Sequence, residues 1–146
     1  MTDEPVRKPF SEALYNTDDS AKDQLVAYLI KRGYEAWVNP NDYGIDVCAI
    51  KDGEKYYFEV EVKHNWKGKD FPFDTLHYAD RKLKFLKSAA QRKNTWFVTL
   101  NHQRKYAVTV NGEILINCQV VKKDTIYTKG EGFIQVPVEA TYLIKV

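Results

Sequence analysis

Apolar and polar positions alternate along this chain with two distinct periods, and the changes of period mark out its elements. From Ala21 the apolar residues Leu25, Val26, Leu29 and Ile30 follow helical spacing. Ser20 is placed to cap that helix behind the acids Asp18 and Asp19, and Gly33 is placed to end it. Tyr34 to Val38 alternates as a strand and stops at Asn39-Pro40-Asn41. The run IDVCAIKDGEKYYFEVEVK, residues 45–63, predicts two strands joined by a tight turn. A second helix is expected from Leu76 to about Arg92, with Leu83, Phe85, Leu86 and Ala89 as its stripe and Asp74 or Thr75 as its cap. TWFVTL and KYAVTV, residues 95–100 and 105–110, read as strands, whereas 113–121 suits helix or strand equally. The closing segments FIQVP and EATYLIKV predict a last strand or short helix on the rim. The order α-β-β-β-α-β-β implies an α/β fold, a mixed sheet with helices on its faces.

Size and composition narrow the class without naming a function. A chain of 146 residues forms one domain with a real core, and 44% hydrophobic against 29% charged residues argues for a globular chain rather than a disordered one. Residues 1–17, polar and carrying Pro5 and Pro9, are expected to form a flexible N-terminal arm on a single domain spanning 18–146. The net charge of +2 does not by itself announce a nucleic-acid binder. Cys48 and Cys118 lie far apart in apolar runs, which predicts reduced core thiols rather than a disulfide or a zinc site. No signal-like segment or long apolar stretch is visible, so a cytoplasmic protein without a membrane partner is expected.

The hairpin carries the chemistry. Side chains alternate across a strand, so Val60 and Val62 point to the core while Glu59, Glu61 and Lys63 share the other face. Two turns are open. A type I′ turn at Asp52-Gly53 pairs Lys51 with Glu54 and sets Asp46 opposite Glu59; a type II′ turn at Gly53-Glu54 sets Asp46 opposite Glu61. Either register keeps Asp46, Glu59, Glu61 and Lys63 on one side of the sheet. Carboxylates held this close repel unless a cation sits among them, which points to a divalent-metal site suited to phosphodiester hydrolysis. A half-exposed strand with cross-strand ion pairs has the same pattern.

These residues resemble the PD-(D/E)XK nuclease superfamily, which has the restriction-endonuclease-like fold, over residues 20–110. Asp46 matches the family's first acid, and Glu61-Val62-Lys63 matches its (D/E)-x-K. The proline that often precedes the first acid is replaced by Gly44-Ile45. Glu59-Val60-Glu61 offers an E-x-E form of the same motif. Glu61 and Lys63 are preferred as the core pair, with Glu59 as a further ligand or neighbour. Many members add an acid from the first helix, for which Asp19 and Asp23 are candidates and Asp23 is preferred. The resemblance implies a metal-dependent DNA endonuclease with catalytic Asp46, Glu61, Lys63 and Glu59. Mg2+, replaceable by Mn2+, would be bound by Asp46, Glu61, Glu59 and Asp23. The size resembles that of junction resolvases, homing endonucleases and phage nucleases, which implies a homodimer or higher homo-oligomer in a bacterial, archaeal or phage-infected cell.

Downstream, basic residues interleave with Trp66, Phe71, Phe73 and Tyr78, a composition that fits a surface tracking phosphates. Lys67, Lys69, Arg81, Lys82 and His64 are the candidate nucleic-acid contacts, with Arg81 and Lys82 foremost. His77 reads as structural, and His102, Arg104 and Lys105 form a further basic cluster. DNA is the expected partner, and RNA stays open. A non-catalytic nucleic-acid-binding module, or an accessory subunit of a phage or recombination assembly docking through 131–146, would share these features.

Overall fold

The structure, a computed structural model, describes residues 12–41, 44–124 and 129–146, with side chains from residue 19 onward. Helix α1 (Glu12–Lys31) leads into β1 (Glu35–Val38), β2 (Val47–Lys51) and β3 (Glu54–Lys63). β4 (Thr75–Ala79), a 3₁₀ segment (Asp80–Leu86) and α2 (Ala89–Asn94) precede β5 (Thr95–Asn101) and β6 (Tyr106–Asn111). α3 (Gly112–Leu115), β7 (Gln119–Lys123), β8 (Glu131–Pro137) and β9 (Tyr142–Lys145) complete the chain. Six strands form one sheet in the order β1-β2-β3-β5-β6-β9, and three form a second in the order β4-β8-β7. Only β3 and β5 run parallel within the large sheet, which makes it mixed.

The large sheet separates two cores. On one face Ala21, Leu25 and Leu29 of α1 pack on Val47, Ala49, Phe58 and Val60. On the other, Phe97, Val108 and Val110 meet Leu76, Tyr78, Ile134 and Val136 of the small sheet, together with Trp66, Leu86 and Leu115. The alternation along β3 therefore sends Phe58, Val60 and Val62 under α1 and turns Glu59 and Glu61 toward the small sheet.

α1 begins at Glu12, so Asp18, Asp19 and Ser20 lie within it and Ser20 is no N-cap. Residues 12–17, assigned from sequence to the arm, are helical; the rest of that arm, 1–11, falls outside the described residues. The helix ends as its sequence requires. Gly33 has φ of 91°, its N–H donates to Ile30 O at 3.1 Å, and Tyr34 N–H donates to Leu29 O at 3.1 Å, which is a Schellman motif.

The expected helix from Leu76 to Arg92 is not there. Thr75–Ala79 is a strand, with Leu76 and Tyr78 buried at period two and His77 half-buried between them, paired to β8 more than fifty residues downstream. Asp74 caps nothing: its carbonyl accepts from Val138 N–H at 2.8 Å. Of the four stripe residues only Leu86 is fully buried, and Ala89 is exposed. The short helix that does form, α2, starts at Ser88 with a reciprocal capping box to Gln91. The ambiguous 113–121 region divides into α3 and β7, and the last segment, β9, is an edge strand on β6. Cys48 and Cys118 are free thiols, Cys48 buried.

Gly33→Ala is expected to destabilise the chain by about 1–2 kcal/mol, the cost of a Cβ in the left-handed region. The space around it is open, with Lys51 Cε 3.8 Å from the added Cβ, so a urea-denaturation midpoint should report backbone strain rather than a clash.

Candidate functional site

The hairpin turn decides the site. Lys51 pairs with Glu54, and Asp52 and Gly53 both have positive φ (51° and 79°), so the turn is type I′. The ladder runs back to Val47 opposite Phe58 and sets Asp46 beside Glu59 rather than Glu61. Asp46 Oδ2 accepts the Val60 N–H at 2.9 Å, which ties the acid to β3 just past the end of the regular pairing.

Among the described residues Glu59 is the one acidic or basic side chain that is buried, only 7% exposed. Burial and its hydrogen bond to Asp46 hold its carboxyl protonated up to about 9, while Lys82 pulls the other way. Two lysines bracket the pair. Lys82 Nζ, from the 3₁₀ segment, lies 3.6 Å from Glu59 Oε2, and Lys22 Nζ, from α1, lies 3.6 Å from Asp46 Oδ1. Lys22 also reaches Asp19 at 3.9 Å. Glu61, one step along the same face, accepts from Thr99 Oγ1 at 3.4 Å, and Thr99 shares a 2.7 Å hydrogen bond with the buried Tyr78 hydroxyl. Burial and the nearby Glu61 carboxylate raise the Tyr78 phenol well above its ordinary range. Glu59, Glu61, Tyr78, Lys82 and Phe97 enclose a recess too narrow for a water molecule.

The motif residues are thus divided. Asp46 and Glu59 are brought together, Glu61 adjoins them through the Thr99–Tyr78 pair, and Lys63 lies further along, its ammonium 5.0 Å from the Phe73 ring. Asp23 is exposed on α1, and the α1 side chain that reaches Asp46 is Lys22. Arg81 and Lys82 diverge: Arg81 pairs with Glu131 at 3.4 Å, while Lys82 turns inward to Glu59. Lys67, Lys69 and His64 are exposed in the loop after β3. His77 packs against Phe133, and burial together with Lys123 lowers its pKa.

Lys22 and Thr99 escaped the sequence reading, while Tyr78 and Trp66, expected there on a phosphate-tracking surface, are buried in the core. Lys22 had a weak signal, one residue from the buried Ala21 at the margin of the helix's apolar face. Thr99 had none, and the burial of Tyr78 beside it had none either, because both depend on pairings between distant segments.

Two carboxylates in contact, one kept protonated chiefly by burial, are oxygen donors of the kind a hard divalent cation takes. Magnesium commonly takes one or two carboxylates and fills its shell with water and phosphate. Among the described residues no set of three or more His, Cys, Asp or Glu side chains converges for a metal.

No protein-family model matches the chain, and no curated protein matches its sequence. Among solved structures it is similar to Hjc, a Holliday junction resolvase from the archaeal hyperthermophile Archaeoglobus fulgidus. The TM-score is 0.55 at 10% identity, over 85% of this chain and 86% of that one. The likeness establishes the fold: a restriction-endonuclease-like mixed β-sheet flanked by helices. Among the described residues no helix is long and apolar enough to cross a membrane.

The Glu59 environment sets a pH dependence. A carboxyl held protonated in the fold above its ordinary 4.5 contributes stability that is fully present below that value. In chelator, stability should therefore fall as pH rises from about 4.5 toward 9, and Glu59→Gln should flatten the slope. Urea midpoints measured across that range check both outcomes.

Proposed function

We propose that this chain is a metal-dependent nuclease that hydrolyses phosphodiester bonds in DNA. The observation that carries the reading is the contact of buried Glu59 with half-buried Asp46 on a restriction-endonuclease-like sheet, flanked by two lysines. Asp46 and Glu59 would hold a magnesium or manganese ion, with Glu61 beside them, and the ion would supply Lewis acidity and a bound water of lowered pKa.

The chain's own groups supply the rest. The Val60 N–H fixes the Asp46 carboxylate, and Thr99 fixes Glu61, so the acids are oriented before substrate arrives. Lys82 is the lysine nearest the pair and would place its charge against a phosphate there, an electrostatic rather than general-base role. The register favours Glu59-Val60-Glu61 as the working motif over Glu61-Val62-Lys63, and it leaves Lys63, Lys67 and Lys69 to hold the phosphate backbone downstream. Asp23 drops out as a ligand in this reading, and Arg81 contributes at most through the rim it shares with Glu131. The resemblance to a junction resolvase makes branched DNA the first substrate to try and a homodimer the first assembly, each subunit cutting one strand.

A second reading has one observation in its favour. Lys22 and Lys82 already face the two carboxylates, which suits a structural ion cluster in a non-catalytic nucleic-acid-binding module or accessory subunit.

The test is incubation with Mg2+ or Mn2+ on supercoiled, linear, four-way-junction and single-stranded DNA, and on RNA, with a chelator control. Cleavage is expected, and Asp46→Asn and Glu59→Gln should abolish it. Lys82→Ala should cost about 10²–10³-fold, the range for one electrostatic stabiliser, and more than Lys63→Ala. Metal-independent binding without cutting on any substrate would select the second reading. Light scattering should give twice the chain mass.

A further inference from the structure

β3 and β5 are parallel, so they end together: Lys63 lies beside Asn101, and the next residues, His64 and His102, project side by side. Their Nδ1 atoms are 3.3 Å apart, with the rings 5.5 Å between centroids and inclined at 70°. Both side chains are exposed. Two imidazole nitrogens each about 2.05 Å from a tetrahedral ion stand about 3.4 Å apart, which matches this spacing.

The backbone beneath the pair is fixed. Trp66 is fully buried; its N–H donates to Lys63 O at 3.1 Å, its indole to Asp70 O at 2.9 Å, and its carbonyl accepts the His102 N–H at 2.7 Å. Asn101 is 1% exposed, and its side chain donates to Gly68 O at 2.7 Å and accepts from the Lys105 and Tyr106 N–H groups at 2.9 and 3.2 Å. The turn after β3 and the turn after β5 are thus tied to each other, and the two exposed imidazoles meet at hydrogen-bond distance above them.

We infer that His64 and His102 form a site for one borderline transition-metal ion, of the zinc, copper, nickel or cobalt kind. Imidazole pairs suit those ions and not magnesium, whose preference is for oxygen. Along β3 the site lies about 16 Å from Glu59, at 3.3 Å per residue, and so is separate from the carboxylate pair. With no third His, Cys, Asp or Glu converging among the described residues, the ion would keep open positions for water or an anionic ligand. The neighbouring exposed Lys67 and Lys69 make a phosphate oxygen the ligand class that fits those positions.

Isothermal titration of the untagged full chain with Zn2+ or Cu2+ tests this, with electron paramagnetic resonance on the copper form. One equivalent should bind through nitrogen, and the copper spectrum should show two imidazole nitrogens, apart from any ion at the carboxylate pair. His64→Ala and His102→Ala should each weaken binding by more than the roughly 10–100-fold that outer-shell partners are worth. Asp46→Asn and His77→Ala should leave it unchanged, with circular dichroism confirming the fold of each variant. Binding that survives the double substitution at His64 and His102, or that is lost in Asp46→Asn alone, would overturn the inference. Neither result bears on magnesium-dependent cleavage, so the two proposals fail separately.

Discussion

A buried carboxyl group must find positive charge or keep its proton, and the architecture around Glu59 is arranged by that constraint. Glu59 lies beneath the small sheet, and Asp46 is pressed against it by the Val60 N–H. Two acids in contact in a poorly solvated place cannot both ionise cheaply. The fold responds from two sides: α1 sends Lys22 to Asp46, and the 3₁₀ segment sends Lys82 to Glu59. Even so, Glu59 stays protonated up to about 9. Burial, more than any lack of nearby lysines, keeps that proton in place.

Each covering layer of the sheet contributes to that state. α1 packs its apolar face on Phe58, Val60 and Val47, which leaves Lys22 at the margin, level with Asp46. On the opposite face β4 brings the Tyr78 hydroxyl to Thr99, and Thr99 in turn holds Glu61. The parallel pairing of β3 with β5 sets these contacts, since it places Thr99 beside Glu61 and Phe97 beside Glu59. Further along, the same pairing brings His64 to His102. β3 therefore carries acids along its middle, and the residue that follows it meets its counterpart after β5.

Much of the framework was legible in local sequence. The stop at Gly33, the strands at 34–38, 95–100 and 105–110, and the hairpin all follow from short-range rules of period, turn residue and left-handed glycine. The 76–92 region was misread because Leu83, Phe85 and Leu86 imitate a helical stripe. Its first five residues instead bury Leu76 and Tyr78 by pairing with β8, and no local rule contains that partner. The Ser20 cap failed for a related reason: a residue with capping chemistry is tolerated inside a helix whose tertiary face is already buried.

The sequence by itself determined that Glu59, Glu61 and Lys63 share one face of β3, because strand alternation is a property of the backbone alone. It left open which acid stands beside Asp46. That was decided by the type I′ turn, whose two positive-φ residues set the register and so brought Glu59 to Asp46. The lysines that answer the pair, the hydroxyls that orient Glu61 and the meeting of the two histidines were decided only by tertiary structure. Their partners lie tens of residues away, and such contacts exist only once the large sheet has closed between its two cores.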